Sequence, residues 1–92
     1  MKITRVRIPK QGIVRIVERK IPRKKRARHP TIGLHEPGEI TIDEREHGKS
    51  ELNTIVHECG HQVGLEDEHC YPLGDTVAEV LWRLGWRKVE VE

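Results

Sequence analysis

Near the start of the chain, apolar and polar side chains alternate. In Lys2–Ile8, "KITRVRI", Ile3 alternates with Lys2 and Thr4, and Val6 and Ile8 with Arg5 and Arg7. "PKQG" at 9–12 is turn-like and "IVRIV" resumes the apolar run, so the segment predicts a β-hairpin. Residues 22–30, "PRKKRARHP", carry Pro at both ends and no apolar side chain larger than Ala, which predicts a solvated loop. "TIGLHEPGEITID" then holds a second turn at Pro37-Gly38 and a strand at 39–43 with Ile40 and Ile42 on one face.

The period changes after Ser50. Ser is a favourable N-cap, and Glu51 falls in the first turn, where the helix dipole favours an acid. Leu52, Ile55, Val56, Cys59 and Val63 follow the spacing of one helical face, so a helix is expected over 51–63 with Gly64 as its stop. Pro72 is a suitable first residue for a second helix, whose apolar stripe would be Val77, Val80, Leu81 and Leu84 and whose end would be Gly85. "WRKVEVE" reads as a last strand. Strands followed by two helices, with no repeat and no linker, define an α+β fold in a single domain over 1–92.

Composition narrows this picture. The 92 residues include no Phe and one Tyr, so the core must be aliphatic, with Trp82 and Trp86 as its large members. A domain this small gains from an extra staple such as a bound metal. The two cysteines, Cys59 and Cys70, form no CxxC pair and are too few for a disulfide scaffold, which points to a reducing compartment. "MKITRVRIPK" lacks the apolar core of a signal peptide and no stretch reaches membrane-spanning length, so the expectation is a cytoplasmic protein with no membrane partner.

Charge divides the chain. Residues 1–28 hold twelve Lys/Arg and one acid, and residues 29–92 hold five Lys/Arg and fourteen acids, a split of +11 against −9 that sums to the net +2. Either the halves neutralise each other in the fold, or the basic N-terminal β region (1–28) forms a face for nucleic acid or another polyanion. Arg23, Lys24, Lys25, Arg26 and Arg28 are the densest cations. They lack interleaved aromatics, which argues against base stacking.

The chemistry concentrates in "TIVHECGHQVGLEDEH", Thr54–His69. On a helical wheel at about 100° per residue, His57 and His61 fall together, opposite the apolar stripe. Two imidazoles at i and i+4 can meet one ion there, and Glu58, about 100° round from His57, stands beside them. Bound Zn²⁺ would acidify a water and polarise a scissile carbonyl, and Glu58 would act as general base, passing the proton to the leaving amine. Chance could place HExxH in a chain with six histidines, but chance would not often put it on a capped amphipathic helix with both His opposite the stripe. Cys59 falls on that stripe and reads as a small buried hydrophobe rather than a ligand.

A catalytic zinc needs a third protein ligand. "HECGHQVGLED" has the spacing H-x-x-G-x-x-D, which nominates Asp67, with the Gly64 break turning the chain back to the metal. Metzincins share that spacing but place His last and carry a Met-turn, and this chain's only Met is Met1. Glu79 is a rival by analogy with thermolysin-like enzymes, yet on its wheel it lies opposite the apolar stripe. If the second helix extends back past Pro72, Asp67 shares a face with Cys70, Gly74 and Ala78, small residues that would permit close approach to the first helix. Glu68 and His69 remain alternatives.

Taken together, Ile40–Asp43, Leu52, His57–His61, Asp67-Glu68 and "LWRLGW" (Leu81–Trp86) resemble the small zincin-like metallopeptidases of phage genomes, and more loosely SprT-like and ImmA-like proteins. The resemblance covers about residues 35–87. It implies a minimal zincin: a small twisted sheet packed on an HExxH helix, a second C-terminal helix and bound Zn²⁺. In ImmA-like relatives an acid opening the second helix completes the site, which carries over to Asp67 or Glu68. If the chain is phage-encoded, its compartment is the bacterial host cell.

The leading expectation is therefore a zinc metallopeptidase acting on peptide or protein, with the "GEITID" strand as the sheet edge that would pair with substrate and His69, Tyr71 or His47 as the oxyanion donor. The alternatives are a nucleic-acid-binding module with a structural zinc, and a virion or accessory structural protein that keeps the fold. SprT-like kinship would combine the first two as a protease tethered to DNA.

Overall fold

The computed structural model describes residues 1–22 and 32–89. The basic run from Arg23 to Arg28, expected as a loop and a polyanion contact, lies outside the described residues. The remainder is an α+β domain with four strands followed by two helices: β1 (Lys2–Ile8), β2 (Gly12–Arg19), β3 (Gly33–Glu36), β4 (Glu39–Asp43), α1 (Gly48–Gln62) and α2 (Asp67–Arg83). The expected hairpin is present, with Ile3 opposite Val17 and Val6 opposite Val14.

The sheet is mixed, in the order β1-β2-β4-β3. β4 runs parallel to β2 and antiparallel to β3. The "GEITID" strand is thus interior rather than the edge. The edge next to the helices is β3, four residues that the hydrophobic pattern did not mark as a separate strand. The register puts Val14, Ile16, Ile40 and Ile42 on the face toward α1 together with Gly33 and His35. Val14, Ile40 and Ile42 form the buried core cluster, with Ile8, Ile16 and Ile55 packed against it. No aromatic side chain belongs to this cluster. Trp82 is half-buried and Trp86 is 65% exposed, contrary to their expected place in the core.

Helix α1 begins at Gly48 with His47 at its N-cap, earlier than expected. Ser50 lies inside the first turn, where its hydroxyl donates to Glu46. The residues of α1 buried most deeply are Glu51, Thr54, Glu58 and Gly60. The apolar stripe is only half-buried at Leu52, Ile55 and Val56, and it is exposed at Cys59 and Val63, so Cys59 is not a core residue. The reason is that α1 is flanked on two sides. The sheet packs on one flank, where it meets Ile55, and α2 on another, and the rest of the apolar stripe and the histidines occupy the two sectors between.

The α2 flank is made by small residues. α2 starts at Asp67 and runs through Pro72, so the Pro does not open it. Its buried residues are Cys70, Gly74 and Ala78, the close-approach face considered above. A Cβ on Gly74 would collide with the Asn53 side-chain oxygen, so larger residues would push the helices apart. Of the expected α2 stripe, Val77 and Leu81 are half-buried, whereas Val80 and Leu84 are exposed. Residues 86–89 form no strand.

One buried charge fixes the corner before α1. The Asp43 carboxylate is fully buried. It accepts from the Arg45 Nε at 2.8 Å and the Arg45 terminal nitrogen at 2.6 Å, and from the backbone N–H groups of Arg45 at 3.0 Å and Ile21 at 3.3 Å. These bonds to the charged form, the Arg45 side chain foremost, outweigh burial and hold the carboxyl well below the usual carboxylate range. The knot ties the end of β4 to residue 21 and so sets where α1 enters.

Candidate metal centre

The site is assembled where α1 ends and α2 begins. Gly64, at φ +92°, adopts a left-handed conformation that favours glycine. The Gly64 N–H donates to the His61 carbonyl and the Leu65 N–H to the Gly60 carbonyl, both at 3.0 Å, closing the helix in a Schellman motif. The chain is thereby reversed, and Asp67, the first residue of α2, faces the last turn of α1.

His57 and His61 point their Nε2 atoms at each other across 3.2 Å. The Asp67 Oδ1 lies 2.8 Å from the His61 Nε2 and 3.3 Å from the His57 Nε2. Bonds of about 2.0–2.1 Å from zinc to nitrogen or oxygen imply a tetrahedral edge of roughly 3.3 Å between neighbouring ligand atoms. The triangle formed by these three atoms is close to one face of that tetrahedron, so a point near 2 Å from all three exists without moving a helix. Two imidazoles and one carboxylate suit zinc chemically. The Nδ1 of His61 lies 2.9 Å from the Leu65 carbonyl oxygen; donation there directs the Nε2 lone pair into the site.

Glu58 stands one step behind. Its Oε1 lies 3.8 Å from the His57 Nε2, longer than a tetrahedral edge, and the residue is 6% exposed. His57, Glu58 and His61 offer donor atoms all within 4.8 Å of one another. Burial pushes the Glu58 carboxyl above its ordinary value, and the neighbouring His57, His61 and His35 act in the opposite direction.

Glu58 is held in place by an absence. A Cβ on Gly33 of β3 would lie 2.7 Å from the Thr54 methyl and 3.1 Å from the Glu58 Cγ, so the edge strand lies directly against this part of α1. Beyond, the Gln62 side chain accepts from the Gly38 N–H at 3.2 Å and donates to the Glu39 carbonyl at 3.1 Å, pinning the β3–β4 turn to the last turn of α1. A cleft of about 820 Å³ opens between β3 and the first half of α2, lined by Gly33, His35, Glu58, Asp67 and Tyr71 among others. Asp67 is the exposed member of the triangle, on the solvent side.

The rival ligands lie elsewhere. The Glu79 carboxylate is bound by Lys49 at 2.7 Å and Arg83 at 3.0 Å, which keeps its pKa low. Glu68 is exposed and pairs with His69 at 3.4 Å. Of the three expected oxyanion donors, Tyr71 alone lines the cleft, its ring centroid 4.5 Å from that of His57. His47 caps the far end of α1. His35 was not foreseen. It stacks on His61 with centroids 5.6 Å apart and lines the same cleft. Alternation through "GLHEPGEITI" as a hairpin would have placed it opposite Ile40 and facing α1.

Among the described residues, no helix is long and apolar enough to cross a membrane. Comparison with protein families, with curated proteins and with solved structures finds no match for this chain.

Proposed function

We propose that this protein is a zinc-dependent metallopeptidase of minimal, zincin-like architecture, with His57, His61 and Asp67 as the metal ligands and Glu58 as the general base. The observation that carries this reading is the triangle of donor atoms from His57, His61 and Asp67 with a buried carboxylate directly behind it. A structural zinc has no use for a buried base beside it or for a broad cleft in front.

A zinc ion held by these residues would supply a water of near-neutral pKa and a Lewis acid for the scissile carbonyl. The remaining work falls to the chain itself. Glu58 takes the proton of the attacking water and delivers it to the leaving amine nitrogen. Tyr71 and His35, on two sides of the histidine pair, are the groups available to donate a hydrogen bond to the developing oxyanion. The free edge of β3 passes Gly33 and His35 along the cleft, so an extended peptide laid against it would bring a carbonyl to the site by strand addition.

The test is cleavage of a broad peptide library by the zinc-loaded protein, with loss of cleavage on chelation and return on zinc addition. Zinc-loaded protein that cleaves nothing while Asp67 and both histidines hold the metal would favour a structural site.

A further inference from the structure

The face of the sheet turned away from the cleft is built differently. β1 pairs with β2 along its full length and is the far edge of the sheet. β2 is an interior strand, paired with β1 on one side and, over Arg15–Arg19, with β4 on the other, so only the hairpin end beyond Arg15 extends past β4. On its outer face the register sets Arg5 directly opposite Arg15, and Arg7 opposite Ile13. All three arginines are exposed. Like charges directly opposite on a sheet are destabilising, and the fold does little to offset this pair. Among the described residues, Arg15 reaches one carboxylate, Glu39, at 3.4 Å, and neither Arg5 nor Arg7 forms an ion pair.

Among the described residues, then, ion pairs do little to cancel the charge split of the sequence. Arg15–Glu39 is the one ion pair, among the described residues, that joins a cation of residues 1–28 to an acid of residues 29–92. Arg5, Arg7 and Arg15 are instead displayed on the surface.

We infer that the outer face of the β1–β2 ribbon, through Arg5, Arg7 and Arg15, is a binding surface for the phosphate backbone of duplex DNA. Charge selects this occupant. Planar guanidinium groups pair with phosphate in two-pronged fashion, which favours arginine over lysine at such positions. Arg5 and Arg7, two residues apart on one strand, stand about 6.8 Å from each other along it, a spacing that lets each meet a separate phosphate. The ribbon face has no aromatic residue, so it lacks the stacking platform of single-strand binders. Contacts of this kind position a protein on DNA without reading its sequence. The surface lies on the opposite side of the sheet from the cleft, so DNA and a peptide could be held at once. The inference is independent of any catalytic activity.

The test uses the full chain and a short random-sequence DNA duplex, with binding followed by fluorescence anisotropy over a range of salt. The parent is compared with Arg5→Gln/Arg7→Gln/Arg15→Gln and with a variant in which Arg23, Lys24, Lys25, Arg26 and Arg28 are all changed to Gln. Each phosphate contact contributes about −0.9 to the slope of log affinity against log salt. Loss of three contacts should flatten the slope by about 3, and between 50 and 200 mM salt the parent should lose roughly 40-fold more affinity than the ribbon variant. Circular dichroism and zinc content should match the parent, since the three side chains are exposed and remote from the metal ligands. An unchanged slope in the ribbon variant, with binding lost only in the 23–28 variant, would overturn the inference. So would absence of duplex binding at low salt, or binding confined to phosphatidylserine vesicles, which would make the face a membrane contact.

Discussion

The Asp67 Oδ1 sits 2.8 Å from the His61 Nε2, although six residues and a helix end separate them in the chain. The contact exists because the Gly64 turn folds α2 back on α1 and because Cys70, Gly74 and Ala78 let the two helices approach closely. Asp67→Ala should therefore weaken zinc binding strongly, and Glu79→Ala, whose carboxylate is taken up by Lys49 and Arg83, should leave it nearly unchanged. Competition against a chelator measures both. The reverse ranking would reject Asp67 as the third ligand.

His57→Ala and His61→Ala should each abolish stoichiometric zinc by metal analysis. The core is a small aliphatic cluster, so metal binding should add visibly to folding stability. Zinc at a thousandfold excess over its dissociation constant contributes about 4 kcal/mol. Thermal unfolding with and without chelator should show a clear drop in Tm for the parent and almost none for either variant.

Gly33→Ala tests the contact between the edge strand and Glu58. The new methyl would press on Thr54 and Glu58, and overpacking of this kind costs about 1–3 kcal/mol. The variant should keep its zinc, because none of the three ligands is touched, but its kcat should fall as the carboxylate is displaced. Unchanged turnover would mean that the position of Glu58 is not critical.

Asp43→Asn addresses the corner before α1. Its carboxyl is depressed in the folded state, so its stabilising contribution is present above the unfolded carboxylate pKa, near 4, and is lost as pH falls below that toward the folded value. At neutral pH the variant should be less stable by about 2 kcal/mol, the scale of hydrogen bonds to a charged group. Unfolding curves taken downward from pH 4 should show the parent and variant converging. A constant gap would mean that charge is not what Asp43 contributes.

How much of this could be read from the residues alone differs by element. The hairpin was legible because two β-branched runs flank the turn-like "PKQG", and the HExxH face was legible because helical spacing fixes it whatever packs around it. The role of β3 was not legible. Four residues with one apolar side chain, Leu34, give almost no pattern, yet they supply the sheet edge, the glycine against Glu58 and the extra histidine. The core face of α1 was misread for a related reason. Hydrophobicity pointed to Leu52, Ile55 and Cys59, of which Ile55 alone packs on the core of the sheet, beside the more deeply buried Glu51, Thr54 and Glu58. Each of these is polar because it has a particular partner. Glu51 meets Lys88 at 2.9 Å, Thr54 donates to the Ser50 carbonyl at 3.1 Å, and Glu58 lies beside the histidines. Those partners are distant in sequence or depend on helix geometry, so no local pattern announces them.

The central claim is that Glu58 acts on the attacking water and does not hold the metal. Glu58→Gln keeps the side chain's shape and removes its basicity. The decisive measurement is the rate of peptide cleavage by zinc-loaded Glu58→Gln beside the zinc-loaded parent, with metal content determined on the same samples. The account predicts full zinc occupancy in both and a fall in rate of about 10²–10⁴, the contribution of general-base assistance. Loss of zinc in the variant would make Glu58 a ligand, and cleavage at the parent's rate with zinc retained would contradict its role as the base.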